Sequence, residues 1–190
     1  MSSTKDLDIT GIILAGGKSS RMGQDKGLKL HRGKPFIYHI IKAIESITDR
    51  ILIITNNPEY TIFGYPCISD VIPNLGPVGG IYTGLKHTKT AHNLVLSCDV
   101  PLIDSLVFNK LIASYESNFD VITFQDIPLI TLYNKSVINT FLESINTKRL
   151  SLKQTLSALK VKSIPIEESI APFIKNINTP KQYKEATQWN

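Results

Sequence analysis

The chain lacks the features that mark several large protein classes. It has two cysteines in 190 residues, Cys67 and Cys98, and they do not form a C-x-x-C pair. That excludes a disulfide framework and makes a reducing, cytoplasmic setting the expectation. No apolar run approaches the roughly 18 residues of a membrane span. The opening MSSTKDLD is polar and contains acids, which is the pattern of neither a secretory nor a transit peptide. Internal repeats, low-complexity tracts and linkers are missing too. Residues 1–190 are therefore expected to form a single domain, with enough length to bury a sizeable core.

Two common phosphate loops are also missing. A Walker loop needs Gly, four residues, then Gly-Lys-Ser/Thr, but Gly23 is followed by Gln24. A dinucleotide fingerprint needs Gly-x-Gly-x-x-Gly opening a helix, and Gly16-Gly17 does not fit it. Aromatic residues are absent from the basic stretch until Phe36, which weakens a single-strand nucleic-acid reading.

What is present begins at Ile9–Lys26, ITGIILAGGKSSRMGQDK. A short β-branched run reads as a buried strand. It stops at Gly16-Gly17, where the backbone can turn with positive φ and a ligand can approach with no Cβ in the way. Successive amides in such a turn form an anion-binding concavity. Residues 18–34 carry Lys18, Arg21, Lys26, Lys29, Arg32 and Lys34 against Asp25 alone, an excess equal to the whole chain's net charge of +5. A triphosphate suits this loop. The field would steer a polyanionic small molecule, and a basic cluster can equally attract RNA or DNA without catalysis.

Leu14-Ala15-Gly16-Gly17, Arg21-Met22-Gly23 and Asp25-Lys26 together resemble the signature of nucleotidyltransferases, most of all the molybdenum cofactor guanylyltransferases. The resemblance runs in order from Leu14 to Pro180. It implies transfer of GMP from GTP to molybdopterin with release of pyrophosphate, on the fold of the nucleotide-diphospho-sugar transferases. It also implies Mg²⁺ and transient contact with cofactor-biosynthesis proteins or target molybdoenzymes, with no nucleic acid or membrane as partner. A relative using CTP, or a sugar-phosphate acceptor, is the alternative.

Along the chain, PFIYHIIKAIESI (35–47) has helical spacing, with Pro35 at its start and His39 within the pattern. Arg50–Thr55 reads as a second buried strand. It ends at Asn56-Asn57, which are either ligand contacts at a strand's carboxyl end or turn residues. Tyr65–Ser69 is a short strand ending at Asp70. Gly76, Gly79 and Gly80 then read as a close-approach loop running into a helix near Ile81–His87. The resemblance sets this region, Asp70 included, against the nucleotide base.

Asn93–Ser97 is the next strand, ending at Cys98-Asp99-Val100-Pro101. A carboxylate there can hold Mg²⁺ beside phosphates, and the resemblance makes Asp99 that ligand. The other reading is a cap or Asx turn, for which Asp104 is the better candidate. Cys98 has no nearby histidine in sequence and reads as packing. Further helices are expected at 105–115, 136–146 and 152–160, and strands at 119–124 and 127–133. Pro128 marks an edge strand or a strand beginning. The family often has histidine at the position of Ile127, a departure that bears on the acceptor. Lys148-Arg149 is either an acceptor-facing basic turn or a solvated pair. The tail, Asn176-Ile177-Asn178-Thr179-Pro180, resembles the family's closing motif. Asn178 supplies a carbonyl there, and Thr179 caps a last helix.

Strands alternating with helices predict an α/β fold: a three-layer, Rossmann-like domain with a mostly parallel sheet. The nucleotide-binding set is Leu14, Ala15, Gly16, Gly17, Lys26, Asn56, Asn57, Asp70, Gly79, Gly80 and Asn178. Arg21, Lys26 and Asp99 are the catalytic set.

Overall fold

The computed structural model describes residues 7–16, 25–177 and 179–187. The strands are β1 (Ile9–Leu14), β2 (Leu30–His31), β3 (Lys34–Pro35), β4 (Ile51–Ile54), β5 (Cys67–Ile68), β6 (His92–Ser97), β7 (Val121–Phe124), β8 (Ile127–Asn134) and β9 (Val161–Ile164). The helices are α1 (Phe36–Glu45), α2 (Gly76–His87), α3 (Ser105–Ala113), α4 (Ile138–Asn146), α5 (Leu152–Leu156) and α6 (Pro180–Thr187).

Among the described residues, seven strands form one sheet in the order β5-β4-β1-β6-β8-β7-β9. All pairings are parallel except those of β8, which runs antiparallel to both β6 and β7. The sheet is buried on both faces, which is why its strands are nearly continuous in apolar residues. Side chains alternate along each strand. In β1, Ile13 packs with Ile37, Ile40 and Ile44 of α1 and with Phe108 of α3. Ile12 and Leu14 pack on the other side with Ile81 and Leu85 of α2 and Phe141 of α4. These two apolar layers enclose the sheet and make the expected three-layer arrangement. No described helix is long and apolar enough to cross a membrane.

The register places the site. Leu14 lies opposite Ile54 on one side and Ser97 on the other, and Ile54 lies opposite Ile68. The carboxyl ends of four parallel strands therefore come level, where open α/β sheets bind ligands.

Several elements differ from the sequence expectation. The helix expected near Ile81 begins at Gly76, so Gly79 and Gly80 lie inside α2 rather than in a loop. Glycine's poor helix propensity is overridden by close packing of α2 on the sheet. Pro128 marks a strand beginning and not an edge. β8 lies in the sheet interior, and its pairing to β6 starts only at Ile130 opposite Leu96, so no ladder hydrogen bond to β6 is lost at Pro128. The helix expected over 152–160 stops at Leu156, and β9 follows as a four-residue edge strand whose VKSI carries too short a pattern to read.

The tail returns across the site's edge. Ile177 packs on Phe36 with Tyr183 alongside, and the Tyr183 hydroxyl donates to the Leu30 carbonyl at 2.6 Å. Thr179 and Gln182 form a capping box: Thr179 Oγ1 accepts from the Gln182 N–H at 3.2 Å, and Gln182 Oε1 accepts from the Thr179 N–H at 3.0 Å.

Candidate active site

A cleft of about 780 Å³ opens at the carboxyl ends of β1, β4 and β5, within the size range of small-molecule sites. Leu14, Ala15, Gly16, Asn56, Asn57, Asp70 and Gly80 all line it. Residues dispersed from 14 to 80 in the sequence are thus brought to one cavity. A second cavity of about 460 Å³, between α1 and α3, holds none of the residues of the nucleotide-binding or catalytic sets.

Gly16 does not have the positive φ that the sequence reading assigned to the glycine pair. Its contribution is the missing Cβ. One added there would stand 3.9 Å from Asp70 Oδ2 and from the Ile54 carbonyl, with the open cleft beyond. Gly80 does the same from the α2 side. Its Cβ would lie 3.1 Å from Leu14 Cδ2 and 3.9 Å from Asp70 Oδ1. Gly79 faces elsewhere, toward Leu75, whose Cβ would lie 2.7 Å from an added Cβ. Gly76, with φ 58, lines the cleft instead.

Asp70 follows β5. Its N–H donates to Asn56 Oδ1 at 3.3 Å, and its Oδ1 is buried with no hydrogen-bond partner among the described residues. Burial raises its carboxyl above the ordinary aspartate range. Desolvation without a compensating donor is the cause, and such a carboxylate is short of N–H partners that a ligand could supply. The Asn57 side chain is committed to the protein. Its Oδ1 accepts from the Glu59 N–H at 3.0 Å, capping the 3₁₀ turn Pro58–Phe63, and its Nδ2 donates to Asp25 Oδ2 at 3.2 Å.

Lys26 and Asp99 meet beside this cleft, next to its lining residues Asp25 and Ser97. Lys26 Nζ stands 3.8 Å from Asp99 Oδ2. Asp99 Oδ1 is buried without a partner among the described residues. The backbone around Asp99 is tied from two sides: the Cys98 N–H donates to the Leu14 carbonyl at 3.1 Å, and the Ile177 N–H donates to the Asp99 carbonyl at 2.8 Å. Asp104, not Asp99, caps α3, accepting from the Leu106 N–H at 2.9 Å. A single carboxylate with one unpartnered oxygen fits Mg²⁺, which usually takes one or two carboxylates and completes its shell with water and substrate phosphates. No cluster of three or more His, Cys, Asp or Glu that could hold a metal occurs among the described residues.

Other expectations can be placed. Cys98 is buried and its thiol is pushed up to about 12, chiefly by desolvation, which suits packing. Arg149 is half-exposed and pairs with Glu143 Oε1 at 3.1 Å. His39 Nε2 meets the His31 carbonyl at 2.8 Å, tying α1 to the β2–β3 hairpin. Gly17, Arg21 and Asn178 lie outside the described residues, as does most of the cationic loop. Two residues carried no assigned role in the sequence reading yet bear on the site. Asp25 lines the cleft, and the Tyr60 hydroxyl donates to Asp25 Oδ1. Asp25 stands within the signature string and could have been found there. Tyr60 had no local signal.

A model of the MobA-like NTP transferase domain matches residues 11–160, from β1 through α5. The chain belongs to that family. It is a nucleotidyltransferase. A probable molybdenum cofactor guanylyltransferase of Flavobacterium johnsoniae is 39% identical over 181 residues, covering 93% of this chain and 95% of that protein. A protein of the same description from Clostridium perfringens is 37% identical over 186 residues, covering 91% and 93%. The crystal structure of molybdopterin-guanine dinucleotide biosynthesis protein A from Archaeoglobus fulgidus superposes with a TM-score of 0.79 at 22% identity, covering 94% of this chain and 97% of that one. That last likeness is one of fold. Within the MobA-like family fold, the cleft of this chain lies at the carboxyl edge of the parallel strands, and the Lys26–Asp99 pair stands beside it.

Proposed function

We propose that this MobA-like nucleotidyltransferase transfers GMP from GTP to the terminal phosphate of molybdopterin in the cytoplasm, forming the guanine dinucleotide cofactor. The names of the full-length relatives support the reaction. The observation that supports guanine is Asp70, whose buried Oδ1, without a partner among the described residues, lies in a cleft kept open by Gly16 and Gly80. Guanine presents donors at N1 and N2 that a carboxylate accepts. Cytosine has only its N4 amino group as a donor and cannot engage both oxygens, and a site built to hydrogen-bond a donor pair discriminates against a base that lacks it.

In this reading an oxygen of the molybdopterin phosphate attacks the α-phosphorus of GTP. The bond from that phosphorus to the α,β-bridging oxygen breaks, and pyrophosphate leaves with the electron pair. Both reactants are anions, so positioning and charge neutralisation carry the catalysis. Gly16 and Gly17 admit the phosphates to the loop amides. Lys26 and Arg21 hold the triphosphate and stabilise the leaving pyrophosphate. Asp99 would hold Mg²⁺, which when bound would neutralise phosphate charge. Asn178 would supply a carbonyl oxygen to the site. The acceptor phosphate is itself the nucleophile, so none is required from the protein.

Two measurements test the proposal. Melting temperature with GTP, CTP, ATP and dTTP should rise most with GTP, because a ligand of the folded state stabilises by mass action. Pyrophosphate release from GTP should require molybdopterin. Equal shifts with CTP, or salt-sensitive nucleic-acid binding indifferent to GTP, would replace this reading.

A further inference from the structure

Two carboxylates stand by Lys26, Asp25 next to it in the chain and Asp99 3.8 Å from its Nζ, and the protein treats them in opposite ways. Asp99 has one oxygen with no hydrogen-bond partner among the described residues. Asp25 is engaged on both. Its Oδ1 accepts from the Gly27 N–H at 3.1 Å and from the Tyr60 hydroxyl, and its Oδ2 accepts from Asn57 Nδ2 at 3.2 Å. Three of the roughly four acceptor positions of a carboxylate are therefore used by neutral donors of the protein itself.

The arrangement spans two separate parts of the chain. Asp25 caps the 3₁₀ turn Lys26–Leu28. Asn57 and Tyr60 belong to the segment after β4. Tyr60 is fully buried, and burial drives its phenol pKa far upward, so it stays a donor at any working pH. Gly27 makes room for it: a Cβ at position 27 would collide with the Tyr60 hydroxyl. The turn carrying Lys26 is thus fastened to the end of β4 through Asp25. Lys26 itself reaches to Asp99.

We infer that Asp25 and Tyr60 are positioning residues for Lys26: the Tyr60 hydroxyl, seated in the space left by Gly27, holds the Asp25 carboxylate and thereby sets where the Lys26 ammonium meets the triphosphate. The inference rests on the proposed role of Lys26 at the phosphates. In this inference Asp25, with both oxygens held by donors of the protein, acts through Lys26, and Tyr60 acts through Asp25.

The test is a double-mutant cycle on GMP transfer with GTP, Mg²⁺ and molybdopterin. Tyr60→Phe keeps the buried ring and removes only the hydroxyl. A misplaced catalytic cation costs about tenfold to a hundredfold in kcat, with the variant still folded by circular dichroism. In a Lys26→Ala background the same substitution should cost less than about twofold more, because groups acting through one another are not additive. The Mg²⁺ concentration giving half-maximal rate should match wild type in Tyr60→Phe. A second variant guards against a misfolded first. Asp25→Asn keeps an oxygen for Gly27 and Tyr60, so it should retain at least about ten times the rate of Asp25→Ala, a margin matching one hydrogen bond network lost. Wild-type kcat in Tyr60→Phe, equal losses in both backgrounds, a shifted Mg²⁺ requirement, or Asp25→Asn as impaired as Asp25→Ala would each overturn the inference. Full turnover by Lys26→Ala alone would instead remove the phosphate role of Lys26, and the inference with it.

Discussion

Lys26 Nζ stands 3.8 Å from one oxygen of Asp99, while the other oxygen, buried, has no partner among the described residues. The pair is a weak contact by distance, and it leaves the carboxylate half engaged. In the proposed reading, the triphosphate meets the Lys26 ammonium and Mg²⁺ meets the Asp99 carboxylate.

Asp99→Asn should preserve the fold, since the amide has nearly the same shape and Asp104 already caps α3. Turnover should fall by about a hundredfold or more, because the bound metal contributes several kcal/mol of charge stabilisation. Raising Mg²⁺ should restore part of it. Initial rates across a Mg²⁺ titration read this directly. Wild-type rates at low Mg²⁺ would return Asp99 to a structural role.

Gly16→Val should fold and fail to bind. The added Cβ meets its nearest neighbours only at ordinary contact distance, 3.9 Å, so the core is not strained. The side chain would project into the cleft that Gly16 lines. The ligand-free melting temperature should match wild type, and the increment with GTP should vanish. A retained increment would place the nucleotide elsewhere.

Asp70 links nucleotide choice to pH. Its folded-state pKa is raised by desolvation, so the folded protein holds this proton to higher pH than the unfolded chain does. The sign follows from linkage: stability falls as pH rises from the unfolded value, about 3.9, through the folded one. Asp70→Asn removes that loss, and the ligand-free protein should melt higher at pH 7. The same change should weaken GTP by about tenfold to a hundredfold, the range for a hydrogen bond to a charged group. It should favour xanthosine triphosphate, whose O2 accepts where guanine N2 donates. GTP affinity of the wild type should fall as pH drops through the raised pKa. Thermal shifts at several pH values check all of this, and an Asp70→Asn protein with undiminished GTP preference would contradict it.

Cys98 should be inert. Buried, with its thiol pushed up to about 12, it forms almost no thiolate at neutral pH, and the thiolate is the reactive species. Iodoacetamide should leave Cys98 unmodified in the native protein and label it in denaturant, as read by mass spectrometry. Enzyme activity should survive the native treatment.

The signals carried by short stretches of sequence were legible without the structure. A β-branched run ending at Gly16, a strand leading to Asp99, Asp104 as a cap, and Thr179 opening a helix each depend on residues within a few positions of one another. Their physical causes, propensity, capping and alternation, act over that range. The presence of Asp70 and Gly80 in one cleft was anticipated through resemblance, and that of Asn56 and Asn57 from their place at a strand's carboxyl end; the register of β1, β4 and β5 accounts for both. Other features were decided only by tertiary structure. β8 inserts antiparallel between β6 and β7, and β9 completes the edge; four residues of strand pattern cannot state which neighbour they will pair with. α2 runs through Gly79 and Gly80 because packing on Leu14 overrides glycine's local preference, and only the helix phase separates Gly80 in the cleft from Gly79 against Leu75. The clearest case is Tyr60 and Asp25, 35 residues apart. Neither residue's neighbours signal the other, because the hydrogen bond joins two segments that meet only after β1 and β4 have paired and brought the cleft into being.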